Sequence, residues 1–219
     1  MNFLQRSIFN QSKSLSRENL YEFLRAALET NTHQKTLLNI GSGGKISEML
    51  SQYDFANSTS IDIDEDRKPD IVMNACALEF PDNSFDIVCA MEVLEHIPTP
   101  QVALDEIYSV LKPSGELLMS TPFVFGIHDE PYDYYRYTKY GLEYLLKRFE
   151  KVHVQERNTY FSTVVVLLSR LIMSTTKSDR VIGAIFTGLS ALLSPIIWIL
   201  DSLISSRNIT TGYFVTATK

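Results

Sequence analysis

Three stretches of this 219-residue chain combine residue types and spacing that suit chemistry. The first is Leu37-Leu38-Asn39-Ile40-Gly41-Ser42-Gly43-Gly44. Glycines after an apolar run let the backbone turn at positive φ and let a ligand approach closely. A helix starting there offers free N–H groups to that ligand. Such a turn alone is weak evidence, because it also occurs as a plain connection. The second is Asp62, in Ser58-Thr59-Ser60-Ile61-Asp62-Ile63-Asp64, about 20 residues after the glycines. A carboxylate at the end of a second parallel strand can accept from both hydroxyls of a ribose. The competing reading is a solvated acidic turn, since Asp64, Glu65 and Asp66 crowd beside it.

The third stretch is Thr121–Thr138, which holds His128, Asp129, Asp133, Arg136 and the tyrosines 132, 134, 135 and 137. A histidine near carboxylates can move a proton, and aromatic faces with carboxylates suit a sugar ring. A purely structural loop, with Arg136 paired to Asp133 and the tyrosines packed, is the alternative. His128-Asp129-Glu130 offers metal-ligand atoms, but no second histidine is near in sequence. No metal is expected. His96 lies on an earlier loop, where it either packs and caps the next helix or serves the chemistry.

These residues need elements to position them. Ser16 can cap a helix over Arg17–Leu28, with Leu20, Phe23, Leu24, Ala27 and Leu28 on one face. Strands are expected at Thr36–Ile40, Ser58–Asp64, Ile71–Asn74, Phe85–Met91, Glu116–Ser120, Lys151–Gln155 and Gly212–Thr218. Helices follow the glycine loop, start at Thr99-Pro100 with a capping hydroxyl and proline, and run over Lys139–Phe149 behind Thr138. Alternating strands and helices predict an α/β fold, Rossmann-like and doubly wound, with a mainly parallel seven-stranded sheet. A ligand belongs at the carboxyl ends of its strands.

Net charge is −6, which argues against a nucleic-acid partner. Cys76 and Cys89 lack metal-ligand spacing, and the first residues lack a secretory pattern. A reduced, cytoplasmic setting is expected.

Taken in order, several segments resemble the class I S-adenosylmethionine-dependent methyltransferases, of the type 11-like kind. They are the glycine loop, Phe80-Pro81-Asp82-Asn83-Ser84-Phe85-Asp86-Ile87-Val88, Glu92-Val93-Leu94-Glu95-His96-Ile97 and Glu106–Leu117. The resemblance runs from about Thr36 to Phe149, with the final strand at the C-terminal end. It implies S-adenosylmethionine as cofactor. Gly41 and Gly43 would admit its methionine part, and Asp62 would bind the ribose. Asn74 and Ala75 would bracket the adenine edge, and Met91 would begin the loop beside the sulfonium. The chain departs from the family pattern at Asn39, where an acid is usual, and at Lys45, where a third glycine is usual. Asn74 also replaces an acid. His128 would be the base for a hydroxyl acceptor, oriented by Asp129 or Asp133, with Tyr134, Tyr135 and Arg136 lining the acceptor.

More loosely, the loop after the fifth strand resembles methyltransferases of bacterial surface-polysaccharide pathways. The leading expectation is therefore O-methylation of a sugar hydroxyl on a glycan, whether free or lipid-linked. The alternatives are a soluble small molecule or quinone-like lipid as acceptor, or a non-catalytic subunit of the same fold.

Residues 1–15 read as a loose arm and 16–219 as one methyltransferase domain, carrying an apolar insertion over 158–209. Val181–Leu200 is uncharged over twenty residues, about 30 Å as a helix. A single crossing would strand the last strand away from its sheet. A helical hairpin turning at Lys177-Ser178-Asp179-Arg180 is expected instead. It would lie on the inner face of the membrane or, through 160–204, in a homodimer.

Overall fold

The computed structural model describes residues 17–29, 32–204, 206 and 208–219, apart from the side chains at 191, 194, 198 and 201. The arm over 1–15, the Ser16 cap, the Trp198 side chain and Arg207 lie outside the described residues.

Of the described residues, 23–122, 127–155 and 213–219 make one compact unit, and 156–212 with 123–126 and 17–22 make another. A helix over 17–28 (α1) buries Leu20, Leu24 and Leu28, as its periodicity requires.

The sheet has seven strands: β1 Thr36–Ile40, β2 Asn57–Asp62, β3 Ile71–Val72, β4 Phe85–Met91, β5 Leu111–Pro122, β6 Lys151–Glu156 and β7 Gly212–Thr218. Their order is β3-β2-β1-β4-β5-β7-β6. β1 pairs in parallel with β2 and β4, bringing Asn39 opposite Ser60 and Cys89. β4 pairs in parallel with β5 and sets Met91 beside Ser120. β7 runs antiparallel between β5 and β6. The amides of Lys219 and Phe123 bracket it against Gly115 and Thr211, and those of Glu150 and Arg157 reach Thr218 and Gly212. β4 is apolar because its residues are buried from Ile87 to Met91, as befits a central parallel strand.

Three short helices serve the sheet: α2 Gly44–Leu50, α3 Pro100–Val110 and α4 Lys139–Leu145. Thr138 caps α4 by accepting from Gly141 N–H. Thr99 does not cap α3. Its hydroxyl instead lies 3.4 Å from the Cys76 sulfur, and Pro100 alone fixes the first turn. The strand expected at Glu116–Ser120 begins earlier, because Leu111–Gly115 already opens β5. Ser114 stands there at φ 63°, and the ladder shifts register between Phe85 and Ile87.

The other unit corrects the expected hairpin. Between residues 156 and 212, its described residues form the helices α5 Tyr160–Arg170, α6 Lys177–Leu192 and α7 Ser194–Leu203. Lys177–Arg180 is the first turn of α6, not the bend. The bend is a 3-10 turn at Leu171–Met173, where a Cβ on Gly183 would stand 2.1 Å from the Ile172 nitrogen. Pro195 starts α7 and splits the apolar run in two. No helix of the described residues is long and apolar enough to cross a membrane.

Candidate active site

β1 lies between β2 and β4, so chain connections diverge on either side of it and open a crevice at the carboxyl ends of those strands. Gly41, Gly43 and Gly44 stand there at φ of 86°, 89° and 64°. A Cβ on Gly41 would come 2.5 Å from Cγ2 of Val93, on the loop after β4. The glycine loop and the Glu92–His96 loop are thus in direct contact. Gly44 takes the tight geometry, which lets a lysine stand at position 45 with α2 already begun. Ser47 ties the loop together. Its hydroxyl accepts from Gly43 N–H at 2.9 Å and from Asn39 Nδ2 at 3.2 Å.

Asn39 is buried, and its Oδ1 has no hydrogen-bond partner among the described residues. A buried acceptor without a donor is costly, and a ligand ammonium would satisfy it. Asp62 ends β2 with its side chain 9% exposed. Its Oδ2 accepts from Ser42 N–H and its Oδ1 from Asp64 N–H, both at 2.9 Å. The carboxylate therefore fixes the glycine loop while each oxygen keeps a further lone pair. Asn74 is exposed, and its Oδ1 accepts from Cys76 N–H, next to the buried Ala75. Met91 is buried at the end of β4. Glu92 follows at φ 57°, a left-handed position that a glutamate holds only where its surroundings enforce it. The Ser120 hydroxyl donates to its Oε1 at 2.9 Å, and its own N–H donates to the Ser120 carbonyl.

The loops after β4 and β5 then meet. Tyr134 and Tyr135 donate their backbone N–H groups to the Glu95 carbonyl, and the Tyr137 hydroxyl donates to the Leu94 carbonyl. Burial pushes the Tyr137 phenol well above its usual range. Asp133 orients His128. Its Oδ2 accepts from His128 N–H at 2.9 Å and lies 3.4 Å from the ring Nδ1. Arg136 grips the same carboxylate through two hydrogen bonds, of 2.5 and 2.6 Å. Those bonds hold the Asp133 carboxyl at about 2 against the upward push of burial, and they raise Arg136 in turn. Arg136 is thus committed to Asp133 and to the Tyr135 carbonyl. Asp129 is more exposed and belongs with His96, its Oδ2 being 3.9 Å from that ring's Nε2. Tyr134 and Tyr135 remain exposed, and the Tyr135 hydroxyl donates to the Pro98 carbonyl.

A second histidine is near after all. The rings of His96 and His128 lie 5.0 Å apart, edge to face. Glu95, fully buried, stands between them with Oε1 at 3.7 Å from His96 Nε2 and 3.8 Å from His128 Nε2. Glu95 carried no distinct signal in the sequence, because Glu-His after a strand reads as the start of a helix. Only the return of the β5 loop reveals it. Cys89 is out of play, since burial pushes its thiol up to about 12.

Residues 38–119 match the profile of the methyltransferase domain family. Over these residues the chain resembles a methyltransferase domain. The chain is similar to a ubiquinone biosynthesis O-methyltransferase of Pseudomonas entomophila, at 32% identity over 130 residues. That match takes in 52% of this chain and 53% of the relative. It is also similar to a demethylmenaquinone methyltransferase of Anoxybacillus flavithermus, at 39% identity over 67 residues, 29% of this chain and 28% of that protein. The chain thus spans about half the length of the first relative. In fold it resembles a SAM-dependent methyltransferase from Archaeoglobus fulgidus, with TM-score 0.61, 20% identity and coverage of 93% and 95% of the two chains. A phosphoethanolamine N-methyltransferase of Haemonchus contortus, solved with S-adenosyl-L-methionine, gives 0.58 at 22% identity, with 93% of this chain and 52% of that one covered.

Proposed function

We propose that this methyltransferase uses S-adenosylmethionine to methylate a hydroxyl of a quinone-like lipid. The observation that carries the reading is the contact between Gly41 and Val93, which joins a nucleoside-binding loop to the loop bearing Glu95 and His96. When bound, S-adenosylmethionine supplies a methyl group on a sulfonium. The chain supplies position. Asn39, the positive-φ glycines and Asp62 offer an acceptor, a close approach and a carboxylate in the order that an amino-acid-bearing nucleoside needs. Methyl transfer is a direct displacement, so holding the acceptor oxygen in line contributes most of the catalysis. The hydroxyl must also lose its proton, and the His96–Glu95–His128 cluster is the group of bases at the same crevice.

Relatives named for ubiquinone and menaquinone biosynthesis favour the quinone-like acceptor over the sugar hydroxyl. Tyr134 and Tyr135 would serve a flat aromatic ring as readily as a sugar. The apolar residues exposed on α6 and α7, among them Val181, Ile185, Leu189, Ile196 and Leu203, fit a helix face that rests on a membrane where such lipids dissolve.

The test is transfer of labelled methyl from S-adenosylmethionine to a prenylated catechol and, separately, to a lipid-linked glycan. Label on the catechol oxygen supports the reading. Label on the glycan alone overturns the acceptor assignment. Flotation with phosphatidylcholine vesicles, compared with Ile185→Glu, tests the membrane contact, which fails if neither protein floats.

A further inference from the structure

We propose that α5, α6 and α7 form an anchor folded inside out, whose large apolar side chains sit among the acyl chains of one phospholipid leaflet. This rests on the membrane contact proposed above and deepens it, since the helices enter the hydrocarbon instead of resting on the headgroups.

The polarity of α6 is inverted. Val181, Ile182, Ile185, Phe186, Leu189 and Leu192 are exposed, Leu192 to 75%. At 3.6 residues per turn they spread over about 140° of the helix surface. The buried positions on its other side are Gly183, Thr187 and Ser190. α5 packs against α6 and buries Thr163, Val166 and Ser169. α3 of the same chain does the reverse, burying Ala103, Leu104, Ile107 and Val110. Water drives large apolar side chains inward, as in α3. A helix that turns them outward and packs through small and hydroxyl-bearing residues suits a solvent less polar than its own packing face. In lipid no hydrophobic drive acts between helices, and small residues let their backbones come close. Gly183 makes such an approach, since a Cβ there would stand 2.1 Å from the Ile172 nitrogen.

The hydroxyls are settled as a dry environment requires. Thr187 donates to the Gly183 carbonyl at 2.8 Å, Ser190 to the Thr187 carbonyl at 2.9 Å and Thr163 to the Thr159 carbonyl at 2.8 Å. Each bonds to a carbonyl of its own helix or cap and asks nothing of water.

A second copy of the chain fits the face less well. Protein interfaces close with a polar rim. Residues 181–200 carry no charge on any side, and the outward arc is broader than the seam of two paired helices. Exposed apolar residues continue on α7 at Ile196, Ile199 and Leu203. Charge returns at the start of α6, where exposed Lys177 and Arg180 can meet anionic headgroups. Because no helix of the described residues can cross a membrane, the anchor stays within one leaflet.

The test moves the one tryptophan of the chain to the outward face, as Trp198→Phe/Ile185→Trp and Trp198→Phe/Leu192→Trp. Each full-length protein is bound to phosphatidylcholine/phosphatidylglycerol vesicles whose acyl chains carry bromine near their middle. Loss of most of the emission at both positions is expected, as is retention on the vesicles in high salt, which screens attraction to headgroups. Emission quenched only by iodide in the water overturns the proposal. Flotation with such emission leaves the surface contact standing and removes the embedding. Absence of flotation removes both, while titration of the same protein with S-adenosylmethionine tests methyl transfer separately. A dimer that persists on vesicle addition, with its emission unquenched by bromine, gives the face to a second copy and also overturns the proposal. Ile185→Glu/Leu189→Glu changes only exposed positions, so it should keep cofactor binding and lose the vesicles in high salt. Retention equal to that of the wild type would overturn the embedding.

Discussion

His128 Nε2 lies 3.8 Å from Oε1 of Glu95, a carboxylate with no exposed surface. The two residues come from loops after different strands, β4 and β5, which are neighbours in the sheet. Asp133 holds His128 from behind, and the backbone of Glu95 receives Tyr134 and Tyr135. The loops after β4 and β5 are therefore one braced assembly.

From this arrangement, His128→Ala is expected to lower kcat by about 10²–10⁴-fold. S-adenosylmethionine affinity should stay unchanged, because the ring stands against Glu95, His96 and Asp133 rather than the glycine loop's Ser47 and Asp62 contacts. Steady-state kinetics with calorimetry of the same protein checks both halves.

Gly41→Ala should cost cofactor binding and stability together. The new Cβ would meet Val93 at 2.5 Å, and alanine at φ 86° adds about 1–2 kcal/mol of backbone cost. Gly41→Ala/Val93→Ala should recover part of the lost melting temperature, since it removes the contact but not the backbone cost. Thermal unfolding of the single and double variants measures the split.

Much of this frame was legible in the sequence. β1, β4 and β7 fall on their expected residues because each is a short apolar or β-branched run with a clear stop. Gly41, Gly43 and Asp62 could be placed because positive φ and a strand-end carboxylate leave local marks. Glu95 could not, since its meaning depends on a partner that arrives only when the β5 loop folds back. The bend before α6 was misplaced for a related reason. The charges at Lys177–Arg180 resemble a turn, yet Asp179 supports the first turn of α6, where its carboxylate meets the Ser174 hydroxyl.

Asp86 sets an acid-side limit on stability. Burial would raise its pKa, but Lys112 and Thr36 outweigh that by bonding Oδ2 at 2.7–2.8 Å, and the pKa is lowered below 3.8. A lowered folded-state value means the contribution is complete above the ordinary carboxylate range and disappears as pH falls through the folded value. Asp86→Asn should lower stability at pH 7 by about 1–3 kcal/mol and flatten the loss on acidification. Denaturant unfolding at pH 7, 5 and 3 gives the comparison.

Gly183→Ala weighs two opposed effects. Helix propensity alone would add about 1 kcal/mol. The Cβ would sit 2.1 Å from the Ile172 nitrogen, a backbone atom that cannot step aside. The clash should win by about 1–3 kcal/mol, the usual scale of overpacking. Limited proteolysis across 171–183 should show faster cleavage than in the wild type.

Calorimetric titration of the full-length chain with S-adenosylmethionine bears most directly on the central claim. One site per chain is expected, lost in Gly41→Ala and weakened in Asp62→Ala. No heat at millimolar cofactor in the folded wild type, or equal binding by Gly41→Ala, would contradict it.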